Sequence, residues 1–297
     1  MTAKVFFSRE ITPAKVVDLY HTLGIALPGK VATKVHSGEK GNQNFLRPDF
    51  WKPVVDEVKG TIVECNTAYG DAFEGVRDHT DSHRKLIEYH GWSKVFDVDL
   101  MDAEGPDVIF EIPDGKVLKE NLLGKNILNY DSMLVLAHFK GHPMGGYGGA
   151  LKQLSIGCAS AAGKALIHSG GVSDSNIEAW QKHTEQDRFC EAMADAASSV
   201  IRHFEGKIAF INVMKNLSVD CDCCAVAEDP CMKDIGILAS LDPVAIDQAC
   251  LDLIYAATDD PGQAHFLERV ESRHGVHTIE AAADLGFGSR EYELVEL

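Results

Sequence analysis

Residues 134–168 read LVLAHFKGHPMGGYGGALKQLSIGCASAAGKALIH, and their order sets the expectation for the fold. LVLAH is a short apolar run that stops where polar groups begin, the pattern of a buried strand leaving the core. Gly145, Gly146, Gly148 and Gly149 follow, removing side chains so that backbone N–H groups can approach a ligand or take positive φ. ALKQLSIGCAS then reads as the opening of a helix. Unpaired N–H groups and the helix dipole at such a junction favour an anion, and Lys152 would add a full charge there. From His138 to His168 the chain carries three His, three Lys, seven Gly and Cys158, the densest chemistry in the sequence. The glycine order matches neither a Walker-type phosphate loop nor a dinucleotide fingerprint. A glycine-rich turn with His138 and His142 satisfied in a polar pocket is the alternative reading.

Outward from this stretch the chain alternates strand and helix. KVFFS is a first strand, and Thr12 with Pro13 caps and opens the helix PAKVVDLYHTL, which Gly24 ends. Lys30 to His36 is a second strand running into HSGEKGNQN, a polar loop read either as a solvated turn or as a substrate-binding loop carrying His36 and Glu39. FWKPVVDEVKG is a helix, TIVECN a buried strand ending at Cys65 and Asn66, and VRDHTDSHRKLIEYHG a helix closed by Gly91. His79 and His83 share a face at the spacing of helical metal ligands, but the charges around them favour a solvated face, with His83 alone able to reach a cleft. VFDVDL and DVIFEI read as a short meander before the core strand. Asn176 to Phe204 is a long helical pattern in which Cys190 packs, and GKIAFINVM is a buried strand. DIGILAS is another strand, and LDPVAIDQACLDLIYAA a helix with Asp242 as its cap and Pro243 in its first turn. Two shorter helices, GQAHFLERVES and HTIEAAADLG, precede the edge strand REYELVEL.

A second concentration of chemistry follows GKIAFINVM. Cys221, Cys223, Cys224 and Cys231 lie in one polar loop, at spacings that match neither zinc-ribbon pairs nor the ferredoxin run. Asp220 and Asp222 would raise the thiol pKa values, which argues against free thiolates unless a metal offsets the charge. Scattered loop thiols remain the alternative.

With 297 residues the chain can bury a large core, read as a single family domain that is either one large α/β unit or, preferably, two closely joined lobes, about 1–137 and 138–297, sharing one sheet system and a cleft. Its 45 acidic against 28 basic residues give a formal charge of −17, which argues against nucleic acid and anionic membrane surfaces as partners. No apolar run reaches the length of a membrane span, so a cytoplasmic location is expected. Eight Cys in such a chain are expected as reduced thiols or metal ligands rather than a disulfide framework.

Five strings carry a resemblance across nearly the whole chain: KVHSGEKGNQNFLRP, GHPMGGYGGALKQLSIGCASAAGK, INVMKNLSVDCDC, DIGILASLDPVAIDQACLDL and ESRHGVHTIEAAADLGFGSREYEL. Through them the chain resembles a large bacterial and archaeal group of uncharacterised iron-sulfur-centre proteins, a domain-of-unknown-function family. Typical members carry a ferredoxin-like cassette at a position that here lies between His168 and Trp180, where only SGGVSDSNIEA stands. Ferredoxin-type clusters are therefore not expected. A fainter likeness is to lactate racemases, in which a nickel-pincer nucleotide is tied to a Lys behind a His and a glycine cluster. His142, Gly146, Gly149, Lys152 and His168 fall at similar spacings, which implies Lys152 as a cofactor anchor and His168 as a metal ligand.

The expectation is an α/β protein with mixed, mostly parallel sheets and flanking helices, binding a metal ion and acting as an enzyme on a small anionic substrate. His142, His138 and Lys152 are the candidate catalytic groups, and Gly145, Gly146, Gly148, Gly149 and Lys152 would hold the anion or cofactor. Cys221, Cys223, Cys224, Cys231 and His168 are the candidate ligands for zinc, iron or nickel. The alternatives are an iron-sulfur or redox partner protein without its own catalysis and a metal-free small-molecule binder. A homo-oligomeric state is left open.

Overall fold

The computed structural model describes residues 2–70, 75–175 and 184–297. In chain order these form β1 (Ala3–Ser8), α1 (Pro13–Thr22), β2 (Val31–Lys34), α2 (Pro48–Val58), β3 (Thr61–Glu64), α3 (Thr80–Tyr89), β4 (Val98–Leu100), β5 (Val108–Glu111) and β6 (Glu120–Leu123). The core strand β7 (Ser132–His138) follows, then β8 (Lys140–His142), β9 (Gly146–Gly148), α4 (Ala150–Leu154) and α5 (Ala161–His168). The remainder comprises α6 (Gln186–His203), β10 (Ile208–Met214), β11 (Gly236–Ser240), α7 (Pro243–Ala256), α8 (Gln263–Ser272), α9 (Gly275–Asp284) and β12 (Tyr292–Glu296).

Eight strands make one sheet in the order β12-β1-β11-β10-β7-β2-β3-β4. Only β11 runs against its neighbours; every other adjacent pair is parallel, which gives the mixed, mostly parallel α/β fold expected from the sequence. All seven residues of β7 and of β10 are buried, as sheets covered by helices on both faces require. Alternation splits them between two cores. Met133 and Val135 face the side packed by α4, α6, α7, α8 and α9, while Leu134 and Leu136 face the side packed by α1, α2 and Trp92. Side-chain caps start the helices where the sequence places them, with Thr12 accepting from the Lys15 amide and Asp242 from those of Val244 and Ala245.

Several local expectations change. VFDVDL is not part of a meander, because α3 returns the chain to lay β4 parallel beside β3; β5 instead pairs with β6 in a separate hairpin. Residues 75–79 precede α3 as a loop, so Arg77 stands outside the helix. The helix opened by ALKQL stops at Leu154, and Ser160 caps a second one, α5. Of the helical pattern from Asn176 to Phe204, α6 accounts for Gln186–His203, and positions 176–183 lie outside the described residues.

β7 crosses position 137, and β1 lies between β11 and β12, so strands from before and after that position are interleaved in one sheet. The carboxyl ends of β2, β3 and β7 share one edge, which brings Lys34, Glu64 and His138 to a common crevice. Among the described residues no helix is long and apolar enough to cross a membrane.

Candidate functional site

The glycine stretch is a hairpin, not an open anion loop. Lys140, Gly141 and His142 pair with Gly148, Tyr147 and Gly146, and the reversal places Gly146 at φ +78°, where only glycine is comfortable. The amides that open α4 already have an anion. The Asp247 carboxylate accepts from Ala150 N at 2.8 Å and Leu151 N at 3.0 Å, and a Cβ on Gly149 would stand 2.4 Å from its Oδ1. Gly148 and Gly149 line the crevice, whereas Gly145 and Gly146 are not among its lining residues. The amides that open α4 are thus taken by a buried side chain from α7.

The two chemical stretches do meet. Gly141 packs against the backbone of Val219, with no room for a Cβ, and its amide donates to Ser218 O at 2.8 Å. This contact sets the cysteine loop against β8, and Lys152 Nζ reaches to 3.7 Å from Cys221 Sγ. Between them lies a cavity of about 550 Å³ at the carboxyl edge of the sheet, within the range of small-molecule sites.

Charge dominates its wall. Lys34, Arg77, Lys140, Lys152 and Lys164 line the cavity, against the carboxylates Glu64 and Asp222. Arg77 is fixed by Glu39 at 3.0 Å, with Glu64 at 3.6 Å and the Tyr69 hydroxyl at 3.2 Å, and Glu39 is fully buried. The polar loop carrying Glu39 is thus no solvated turn. Glu64 accepts from the Ser37 amide and faces His83 Nε2 at 3.1 Å; burial opposes its charge, but Lys34 and His83 hold its carboxyl well below the usual range. His83 is fully buried between Glu64 and Asn66, which corrects the solvated face expected of it, while His79 stays exposed. Lys140 and His138 both bond Asp222. Burial disfavours the Asp222 charge, yet these two partners drive its pKa down. Burial also lowers the Lys152 ammonium to about 8.

The four cavity histidines divide by their hydrogen bonds. His36 Nδ1 accepts from the Gly38 amide at 3.1 Å, and His142 Nδ1 accepts from the Met144 and Gly145 amides at 3.2 and 2.8 Å. An imidazole that accepts at Nδ1 carries its proton on Nε2, so both rings are N–H donors there. Burial pushes the pKa of both well down, keeping them neutral. His168 is the opposite case, with Nδ1 2.6 Å from Lys164 O, which assigns the proton to Nδ1 and leaves the lone pair on Nε2. Its pKa is lowered to about 4 by burial. His138 has acceptors on both sides, Asp222 at Nδ1 and Lys215 O at Nε2, so its ring serves to position Asp222.

Cys221 and Cys223 are joined as a disulfide, contrary to the reduced thiols expected of that pair; the loop folds tightly enough that the Cys223 amide lies 3.2 Å from Cys221 Sγ. Cys224 is a free thiol on the cavity wall, and Cys231 is free but turned to Leu217 O, away from the lining. His142, Cys221 and Cys223 form a candidate metal-binding group, with ligand atoms within 4.8 Å of one another. Two sulfurs and an imidazole suit a soft ion. In the arrangement seen, however, the sulfurs are bonded to each other, and His142 offers either an Nδ1 lone pair already used by two amides or a protonated Nε2. A metal therefore requires reduction of the disulfide and release of the His142 ring.

Lys34, Glu64, Arg77, Lys164 and Asp247 were not singled out from the sequence. For all but Arg77, which lies in the polar run VRDHTDS, the signal is a charge inside an apolar run, as in VATKV, TIVEC and VAIDQACL.

Comparison with curated proteins gave no match. The fold is similar to the lactate racemase apoprotein from Thermoanaerobacterium thermosaccharolyticum, at 13% identity over 70% of this chain and 50% of that one, TM-score 0.42. It is also similar to a Thermotoga maritima protein solved by structural genomics, at 10% identity over 92% of this chain and 59% of that one, TM-score 0.44. This chain thus spans half the length of the first and about three-fifths of the second. A model of a domain of unknown function, DUF362, matches residues 31–252, and the chain belongs to that family.

Proposed function

We propose that this protein acts on a small anionic molecule held in the cavity, with the Cys221–Cys223 pair as the reactive centre. The observation that carries the reading is the wall itself: five buried or partly buried cations converge on one cavity in a chain whose overall charge is −17. Desolvated cations without enough counter-charge cost folding free energy, and a bound anion removes that cost. In the reduced state Cys221 and Cys223, with His142, would hold a soft metal such as zinc, iron or nickel, which would polarise the bound anion as a Lewis acid. The protein's own groups then have separate tasks. Lysines hold the anion, and the His36 Nε2–H donates to it.

The disulfide favours a second reading, in which the Cys pair cycles between dithiol and disulfide and never binds metal. Elemental mass spectrometry separates the two. Protein purified under reductant and without chelator should carry about one metal per chain, lost in a Cys221→Ser, Cys223→Ser variant and displaced by oxidation. A metal-free reduced protein removes the metal reading and leaves the thiol one. Metal retained in the double variant places the ion elsewhere and removes the Cys pair as its site.

A further inference from the structure

We propose that the anion recognised by this cavity is a phosphoryl group, gripped by Lys34, Lys152 and Lys164, so that the substrate class is a small phosphate ester. The proposal rests on the anion reading above and narrows it.

The charge balance leads to a dianion. Arg77 is neutralised by Glu39, Lys140 by Asp222, and Glu64 offsets one of the other cations, so among the described residues five cations against three carboxylates leave a surplus of two positive charges. Asp102 is the next carboxylate behind Lys164, but it lies beyond ion-pair distance and accepts from the Asn66 and Ala161 amides. A monocarboxylate would leave part of that surplus buried and uncompensated; a phosphate ester near its second ionisation matches it.

Donor geometry points the same way. An ammonium has three N–H donors. Among the described residues Lys34 makes one hydrogen bond, to Val35 O, Lys164 one, to Ala159 O at 2.6 Å, and Lys152 one long contact, to Cys221 Sγ. Most donors of the three lysines therefore have no acceptor among the described residues, although Lys34 is only 2% and Lys164 only 6% exposed. The three come from different elements, β2, α4 and α5, and the His36 Nε2–H comes from the loop after β2, so donors approach the cavity from several directions. That distribution suits a tetrahedral anion with oxygens on all sides. A planar carboxylate is best met by the two-pronged guanidinium of arginine, and Arg77, the arginine of this wall, is already engaged by Glu39, Glu64 and Tyr69. The rest of the wall includes Pro143, Met144, Ile156 and Val226, which leaves an apolar region for the remainder of an ester.

Calorimetry with inorganic phosphate, succinate and acetate at neutral pH tests this on the whole chain. The proteins are the wild type, Lys34→Met, Lys164→Met, Lys152→Met and the exposed control Lys52→Met, each checked by circular dichroism. Phosphate should bind the wild type and the control with one site per chain, and about tenfold or more weaker in each cavity variant. Lys152, the partly exposed member, keeps the test decisive if a fully buried substitution fails to fold. Succinate or acetate binding as tightly as phosphate, with the same lysine dependence, would overturn the phosphoryl assignment while leaving the anion reading intact. Phosphate binding unchanged in the cavity variants would place its site elsewhere and overturn the proposal. Absence of heat with every anion would remove both readings.

Discussion

His36, His142 and His168 look alike in the sequence, three histidines near glycines or at a helix end, but local backbone partners give them opposite roles. The Gly38, Met144 and Gly145 amides turn His36 and His142 into donors at Nε2, and the Lys164 carbonyl turns His168 into an acceptor there. Such assignments were not legible beforehand, because they depend on which amide or carbonyl a loop presents. Burial gives His168 a measurable signature. Its folded pKa of about 4 lies below the ordinary 6.5 of the unfolded chain, so the unfolded state binds the proton first as pH falls. The stabilisation is complete above pH 6.5 and is lost between there and about 4, by about 3 kcal/mol at most for this one residue. Carboxylates with depressed pKa values, such as Glu64 and Asp222, lose their contribution at lower pH. Urea unfolding of a His168→Gln variant should show lower stability at pH 7 but a shallower decline from 6.5 to 4. A slope equal to the wild type's would mean that the ring titrates alike folded and unfolded.

Elements long enough to show their own period were readable: β7 and β10 as continuous apolar runs, α7 from its Asp-Pro start. The start of α4 was readable too, but not its end after five residues, because nothing local marks the stop of so short a helix. Its hold comes from 97 residues further on. Asp247, otherwise out of place on the buried side of α7, accepts from Ala150 N, Leu151 N, Asn212 Nδ2 and the Tyr147 hydroxyl, tying α4 and β9 to α7 and β10. Lys152 rides on α4, so Asp247 positions it without touching the cavity. Asp247→Asn replaces one acceptor oxygen by an amide that faces donors. The expected loss is about 2–4 kcal/mol in denaturant unfolding, together with weaker phosphate binding. Stability lost with phosphate affinity unchanged would separate the carboxylate from the placement of Lys152.

At the scale of the molecule the hydrophobic pattern gave the class of sheet but not its strand order, since the central strands β7 and β10 are buried on both faces and alternation cannot rank their neighbours. Order has consequences for cooperativity. Separately folding units divided near position 137 would each need a sheet and a core of their own. Instead, β10 pairs with β7 over Ile208–Val213, and β1 is held between β11 and β12. Both helical layers also draw on strands from before and after the proposed division. Loss of β10 and β11 would expose β7 and β1 together, which leaves no partly folded state with intact edges. A single transition is therefore expected. In a Trp180→Phe background, fluorescence of Trp51 and Trp92 follows the layer of α1 and α2, while far-ultraviolet circular dichroism follows all the helices, most of which lie on the other face. The two probes should give coincident urea midpoints. If fluorescence and circular dichroism part, the sheet is divided energetically although continuous in space, and the cavity would then lie across a boundary that can open.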